Sequence, residues 1–344
     1  MKKTAIVVCP GRGVYNKTEL GYLGRHHADK KAMFAAFDAQ RGAVGRETLA
    51  ALDGAPSFVM STHMRGDNAS ALIYAASLAD FMAINRGRIE IVAVTGNSMG
   101  WYSALACGGA LSPENGFRLA DTMGTLMQEH LIGGQILYPF TAGDWRDAPA
   151  RKAGLLALVA EIGARPGHAL ALSIDLGGLL VLAGDAAGLS AFEAAVPVAQ
   201  ERFPMRLANH AAFHTALQAP VAAAGRDRLP ASLFGQPALP MIDGRGAIWW
   251  PGSTDPRALR RYTLGHQVTE TYDFTRAVAV AAREFAPDLF IVTGPGATLG
   301  GAVAQSLILA GWRGLADKAD FQRRQQEAPV LAAMGLEEQR RLVL

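Results

Sequence analysis

A serine between two glycines, in Gly96-Asn97-Ser98-Met99-Gly100, follows the apolar run at residues 88–95 and precedes the helix-like stretch at 101–107. Strand, G-x-S-x-G and helix in that order form the setting of a nucleophile elbow, a tight turn that lifts a serine hydroxyl at the end of a sheet. The turn is so sharp that its flanks must be small, hence Gly96 and Gly100. The helix behind it turns backbone N–H groups and its positive dipole end toward any oxyanion that forms there. In a chain with 38 glycines the pentapeptide alone says little, and the flanking strand and helix carry the reading.

A serine hydroxyl is a poor nucleophile at neutral pH without a proton acceptor. Of the eight histidines, His214 in Ala211-Ala212-Phe213-His214-Thr215 is the candidate base, with His210 next. A lone histidine is more often structural; the elbow is what raises this one. Asp243-Gly244 offers the aspartate that a patatin-like lipid hydrolase pairs with its serine, yet it reads as a turn before Trp249-Trp250. Gly11-Arg12-Gly13 does not extend to a dinucleotide fingerprint, because the third glycine would fall at Asn16. No metal site is expected: His26-His27 has the wrong spacing for one helix face, and no H-E-x-x-H or C-x-x-C occurs.

The elements that must position these groups alternate. Strands are predicted at residues 4–9, 57–60, 89–95 and 288–293, with helices at 67–85, 101–108, 115–130 and 297–310, which gives an α/β fold with a mostly parallel sheet. Between 136 and 203 the texture changes to helix 149–162, strands 168–175 and 179–184, and helix 187–202: a compact α+β insert. The domain reading is a large domain at 1–135 and 204–320, a small one at 136–203, and a charged helical tail at 321–344 that docks peripherally.

With 50% hydrophobic and 18% charged residues over 344 positions, the chain can bury a sizeable core. A net charge of +3, scattered, argues against nucleic acid and suits acidic or phosphate-bearing partners. Cys9 and Cys107 read as core filler in a reducing compartment. Met1-Lys2-Lys3 and the apolar residues after it imitate a secretory leader, but the run is short and meets Pro10-Gly11, so it reads as the first strand of a cytoplasmic protein. No run long enough to span a membrane is present.

Taken together, these motifs resemble the malonyl-CoA:acyl carrier protein transacylase family and the acyltransferase domains of fatty-acid and polyketide synthases. The family's G-H-S-x-G followed by E-Y-S-A-L corresponds to residues 96–105, its P-F-H-S to Ala212-Phe213-His214-Thr215, its P-G-Q-G to Pro10-Gly11-Arg12-Gly13, its R-Q-L to His266-Gln267-Val268 and its G-P-G to Gly294-Pro295-Gly296. The resemblance implies a hydrolase-like domain with an inserted ferredoxin-like subdomain. It implies ping-pong transfer from acyl-CoA to an acyl carrier protein through a Ser98 acyl-enzyme, with His214 as base, and no cofactor. It further implies an oxyanion hole from the N–H groups of Arg12 and Met99, and a main-chain carbonyl at Gln267 that orients His214. An acyl-thioester hydrolase of the same fold and a non-catalytic carrier-binding scaffold are the rival readings.

The departures concern the acyl pocket. Asn97 and Trp101 replace the family's histidine and glutamate, and Phe213 would crowd substituents on the acyl α-carbon. Met123 stands where malonyl-handling members carry the arginine that clamps the free carboxylate, so a neutral acyl group is expected. The alternative is a clamp supplied by another cation, with Arg12 better placed than Arg118.

Overall fold

The computed structural model describes residues 2–344. Its strands in chain order are β1 (Lys3–Cys9), β2 (Ile89–Gly96), β3 (Gly134–Pro139), β4 (Leu170–Leu176), β5 (Leu179–Gly184), β6 (Met205–Arg206), β7 (Met241–Ile242), β8 (Ile248–Trp249), β9 (Tyr272–Asp273), β10 (Leu289–Val292) and β11 (Leu331–Ala333). They form two sheets. The larger runs β11-β10-β1-β2-β7-β8, parallel except for the antiparallel edge strand β8. Its central strand β1 is buried from Ala5 to Cys9, the continuous apolar run of a parallel strand covered on both faces.

Around it lie the helices Gly66–Ala83, Gly100–Cys107, Pro113–His130, Phe274–Phe285 and Leu299–Leu309. Two of them start at a capping side chain, Ser112 and Asp273. Ser112 accepts from the N–H of Asn115 and Pro113 takes the first turn, so the helix Pro113–His130 begins two residues earlier than its apolar periodicity predicts.

The smaller sheet runs β6-β3-β5-β4-β9. Its first four members, with the helices Pro149–Gly163 and Ala186–Ala195, follow the order β-α-β-β-α-β of a ferredoxin-like unit. Ile136, Tyr138, Phe140, Leu182 and Phe192 form its own core. This unit reaches from Gly134 to Arg206, wider at both ends than the predicted 136–203. β9, which belongs to the chain of the large domain, pairs in parallel with β4 and couples the two.

Three expectations fail. Residues 57–60 form no strand: Val59 and Met60 are exposed, and Phe58 stacks on His63, 4.9 Å away, in a local turn. A short apolar run is ambiguous by periodicity alone. The helix predicted to 202 ends at Ala195, because Pro197 forces Val196 into an extended conformation. The tail is not peripheral. After the helix Lys318–Glu327, β11 adds to the large sheet beside β10, and the buried Arg340 pairs with Asp80 at 2.7 Å. A three-residue strand is too short to leave a periodic signal.

Candidate active site

β1 and β2 are in register at Cys9 and Gly96, so the loops that leave their C-terminal ends meet. Asn97 N–H donates to Cys9 O at 2.9 Å and fixes the junction. Ser98 adopts φ +55°, the left-handed conformation a nucleophile elbow forces on its serine. A Cβ on Gly96 would lie 2.2 Å from the carbonyl carbon of Gly100, and one on Gly100 2.1 Å from Cys9 O. Neither position has room for a methyl group. Met99 is the N-cap of the helix Gly100–Cys107.

The structure brings His214 to this serine from more than a hundred residues away. Ser98 Oγ lies 2.7 Å from His214 Nε2, and His214 Nδ1 lies 2.6 Å from Gln267 O. A carbonyl only accepts, so Nδ1 carries the proton and Nε2 offers its lone pair to the Ser98 hydroxyl. Burial pushes the His214 pKa down to about 4, against the opposing pull of the Gln267 bond. The imidazole is therefore neutral at pH 7.

Gln267 follows a π-helical turn at Tyr262–His266. Its side chain ties the pair together: Nε2 donates to Ser98 O at 3.1 Å, and Oε1 accepts from the Tyr102 hydroxyl at 3.1 Å. Tyr272 donates to Gly96 O at 2.6 Å, and its ring lies 5.4 Å from that of His214. From the small sheet, Ser173 donates to Phe213 O at 2.8 Å while accepting from Gln135 at 2.7 Å. Sequence reasoning missed Tyr102, Tyr272 and Ser173. Only Tyr102 had a signal, one helical turn beyond Ser98.

Arg12 lies in the loop after β1. Its Nη2 donates to Met64 O at 3.2 Å and Asn209 O at 3.0 Å, and its guanidinium sits 5.4 Å from the centre of the Phe213 ring. Burial brings its pKa down to about 10, partly offset by the charge of Asp67. The runner-up base, His210, bonds Gln135 instead of Ser98. Asp243 is enclosed by Arg245, Ala247 N–H and Trp249 Nε1, the turn that its dipeptide predicted.

Ser98, His214, Arg12 and Phe213 border a cavity of about 10 Å³, together with Gly124 and Met127 of the helix Pro113–His130. That is room for about one water molecule. Three expected pocket residues do not line it. Trp101 is fully buried in the core, where Nε1 donates to Thr263 at 2.9 Å and the ring meets Tyr262 edge-on. Asn97 is turned against Gly11. Met123 is fully buried with its sulfur against Gly225, because it lies about 100° around the helix from Gly124. Two larger surface hollows, of about 580 and 590 Å³, open beside Arg88 and Phe34, and Ser98 and His214 line neither.

No described protein family matches the sequence, and no curated protein is similar to it. Solved structures do match. A malonyl-CoA:acyl carrier protein transacylase from Xanthomonas oryzae aligns with a TM-score of 0.75 at 21% identity, over 99% of this chain and 98% of its own. The malonyl-CoA:acyl carrier protein transacylase of Synechocystis aligns with a TM-score of 0.74 at 18% identity, over the whole of both chains. A malonyl transacylase solved in complex with its type II polyketide synthase acyl carrier protein aligns with a TM-score of 0.70 at 19% identity, over 98% of this chain and all of its own.

The chain has the malonyl transacylase fold. In this transacylase fold Ser98 sits in the turn after β2 of the large sheet, while the segment carrying His214 is braced by the small one. Among the described residues no cluster of His, Cys, Asp and Glu could hold a metal ion, and no helix is long and apolar enough to cross a membrane.

Proposed function

We infer that the protein is an acyltransferase that moves an acyl group between thioesters, from acyl-CoA to the phosphopantetheine thiol of an acyl carrier protein. The observation that carries this reading is the Ser98 hydroxyl held 2.7 Å from a neutral imidazole whose other nitrogen is fixed by a carbonyl. Neutral His214 takes the proton as Ser98 Oγ attacks the thioester carbonyl, and the resulting imidazolium returns it to the departing CoA sulfur. The N–H groups of Arg12 and Met99 serve the developing oxyanion. The carrier thiol then gives its proton to His214, attacks the Ser98 ester, and leaves as the new thioester while the serine is reprotonated. No cofactor enters this ping-pong cycle.

A carbonyl partner stabilises imidazolium less than a carboxylate would, which is consistent with the low His214 pKa. A thiol is a good leaving group and demands less of its base than an amine does. The tight cavity favours transfer over hydrolysis, because it excludes bulk water from the ester. The intact pair disfavours a scaffold without activity. The fold neighbours, malonyl transacylases of which one is bound to its carrier protein, support an acyl carrier protein as acceptor.

A neutral acyl group remains part of this reading: Met123 is buried against Gly225, so its position on the helix Pro113–His130 brings no cation to the cavity. Intact mass spectrometry after mixing with a panel of acyl-CoAs tests the reading. One acyl mass should appear on the wild type, leave on addition of a holo carrier protein, and be absent from Ser98→Ala. Release of free acid at an unchanged rate without carrier would favour the hydrolase instead.

A further inference from the structure

The helices Tyr22–His26, Lys31–Gly42 and Leu49–Asp53 border a hollow of about 590 Å³ that Ser98 and His214 do not line. That volume falls in the range of ordinary small-molecule sites, roughly 300–1,000 Å³. Leu23, Ala28, Phe34, Ala35, Leu49 and Ala50 make its wall apolar, and Asp38 and Asp53 add two carboxylates. Both are held by neutral donors. Asp38 accepts from Leu49 N–H at 2.5 Å, and Asp53 accepts from the Tyr15 hydroxyl at 2.7 Å, from Leu23 N–H at 3.0 Å and from Gly24 N–H at 3.3 Å. Among the described residues neither forms an ion pair. Lys31, exposed on the same wall, is one positive charge against these two negative ones.

A second, independent feature is His27, which lines the same hollow although it is fully buried. Its Nε2 lies 2.7 Å from Asp80 Oδ1 and 3.2 Å from Arg340 Nη2. The shorter contact is to a carboxylate oxygen, which only accepts, so Nε2 carries the proton and Nδ1 of the neutral ring is an acceptor. That nitrogen is shielded from water and meets no donor. A buried polar atom without a partner is destabilising, and a ligand that supplies the missing donor removes the penalty.

We propose that this hollow is a binding site for a small organic cation, a primary ammonium on an apolar or aromatic body. An ammonium has only donors to offer, and the hollow presents acceptors: two carboxylates without a counter-charge and one imidazole nitrogen without a donor. An ionised carboxylate or phosphate would add a third negative charge and bring no proton to Nδ1. An alcohol would bring a donor without charge. The apolar body lies against Phe34, whose ring face also attracts cations. The site is separate from the cavity at Ser98, and the inference does not depend on the acyltransfer reading.

The test titrates the full chain calorimetrically with three probes that share one body, phenethylammonium, phenethyl alcohol and phenylpropionate, at low ionic strength so that charge is little screened. We expect phenethylammonium to bind saturably and roughly ten-fold more tightly than either of the others. Asp38→Asn keeps an oxygen for the Leu49 N–H and loses the charge, so it should weaken the ammonium by about ten-fold and leave the alcohol unchanged. Ala35→Trp places an indole in the hollow and should abolish binding of both. Asp53 is left intact because it also holds the Tyr15 hydroxyl. In nitrogen NMR spectra of protein labelled at histidine, the ammonium should shift the His27 Nδ1 signal, and phenylpropionate should not. Absence of saturable phenethylammonium binding overturns the proposal. So does binding of phenylpropionate as tight as that of the ammonium, a wild-type affinity in Asp38→Asn or Ala35→Trp, or bound ammonium that leaves the His27 signal in place. Should Ala35→Trp fail to fold, Asp38→Asn and the His27 signal decide.

Discussion

The two halves of the Ser98–His214 pair are held by different means. Ser98 is fixed largely by its own neighbours: two glycines and the first turn of one helix lie within five residues of chain, and the register of β2 with β1 and the Gln267 bond to Ser98 O complete its seat. His214 is fixed from a distance, by the carbonyl of Gln267 on its imidazole and by Ser173 of the small sheet on the carbonyl of Phe213. It also stands at φ +56°, a conformation that the surrounding contacts must enforce. The seat of Ser98 is thus mostly local, and that of His214 is an assembly.

The sharpest way to break this contrast is a methyl group in the elbow. Gly100→Ala puts a Cβ where 2.1 Å separates it from Cys9 O, so either the turn or the register of β1 and β2 must give. We expect soluble yield or Tm to collapse and acylation to vanish, an effect beyond roughly 4 kcal/mol. A stable, active Gly100→Ala protein would show that the elbow is not the rigid half.

Next in size is His214→Ala. Loss of the proton acceptor should lower the acylation rate by roughly 10²–10⁴-fold, far more than the lower Tm expected from losing a buried side chain and its bond to Gln267 O can account for. A drop of only a few-fold, read by rapid-quench mass spectrometry, would move the base elsewhere, with His210 first to be tried.

Ser173→Ala probes the assembly from the far side. It strips Phe213 O of its donor and Gln135 Nε2 of its acceptor, both in the interior, at a cost of about 1–3 kcal/mol. If the small sheet does position the base, kcat falls more than KM rises, and Ser173→Thr, which keeps the hydroxyl, recovers much of it. Equal loss of stability with unchanged kcat would reduce this contact to a structural brace.

The mildest effect is in pH. With His214 held near pKa 4, kcat/KM for acylation should vary little from pH 8 to 6 and fall only toward pH 4, whereas an ordinary histidine would bend the profile near 6.5. Stability follows the same sign. The depressed His214 is neutral in the folded protein and becomes protonated more readily when unfolded, so its contribution is complete above pH 6.5 and declines by about 1.4 kcal/mol per pH unit as pH falls toward 4. His210, held near 3 by burial and by Arg12, adds in the same direction. A kinetic midpoint at 6.5 would mean that the imidazole is more solvated in solution than its surroundings here imply.

Much was legible in the sequence, and the reason lies in where the constraints are. The elbow, the order of strands and helices, and the α+β insert rest on patterns a few residues long, so periodicity, glycines and caps determined them. The pairing of Ser98 with His214 came through the order of motifs, since no local pattern links residues 98 and 214. The pocket did not follow in the same way. Met123, Trp101 and Asn97 were expected on its wall, but which face of a helix meets a cavity is decided by the helix packed against it, and Gly225 opened room for the Met123 sulfur on the other side. The tail misled for a related reason: β11 becomes a strand only because β10 offers it an edge. The sequence by itself determined the elbow at Ser98 and the architecture that carries it. Tertiary structure alone decided which side chains line the cavity at Ser98, because that depends on how loops and helices distant in the chain pack around it and on no single segment.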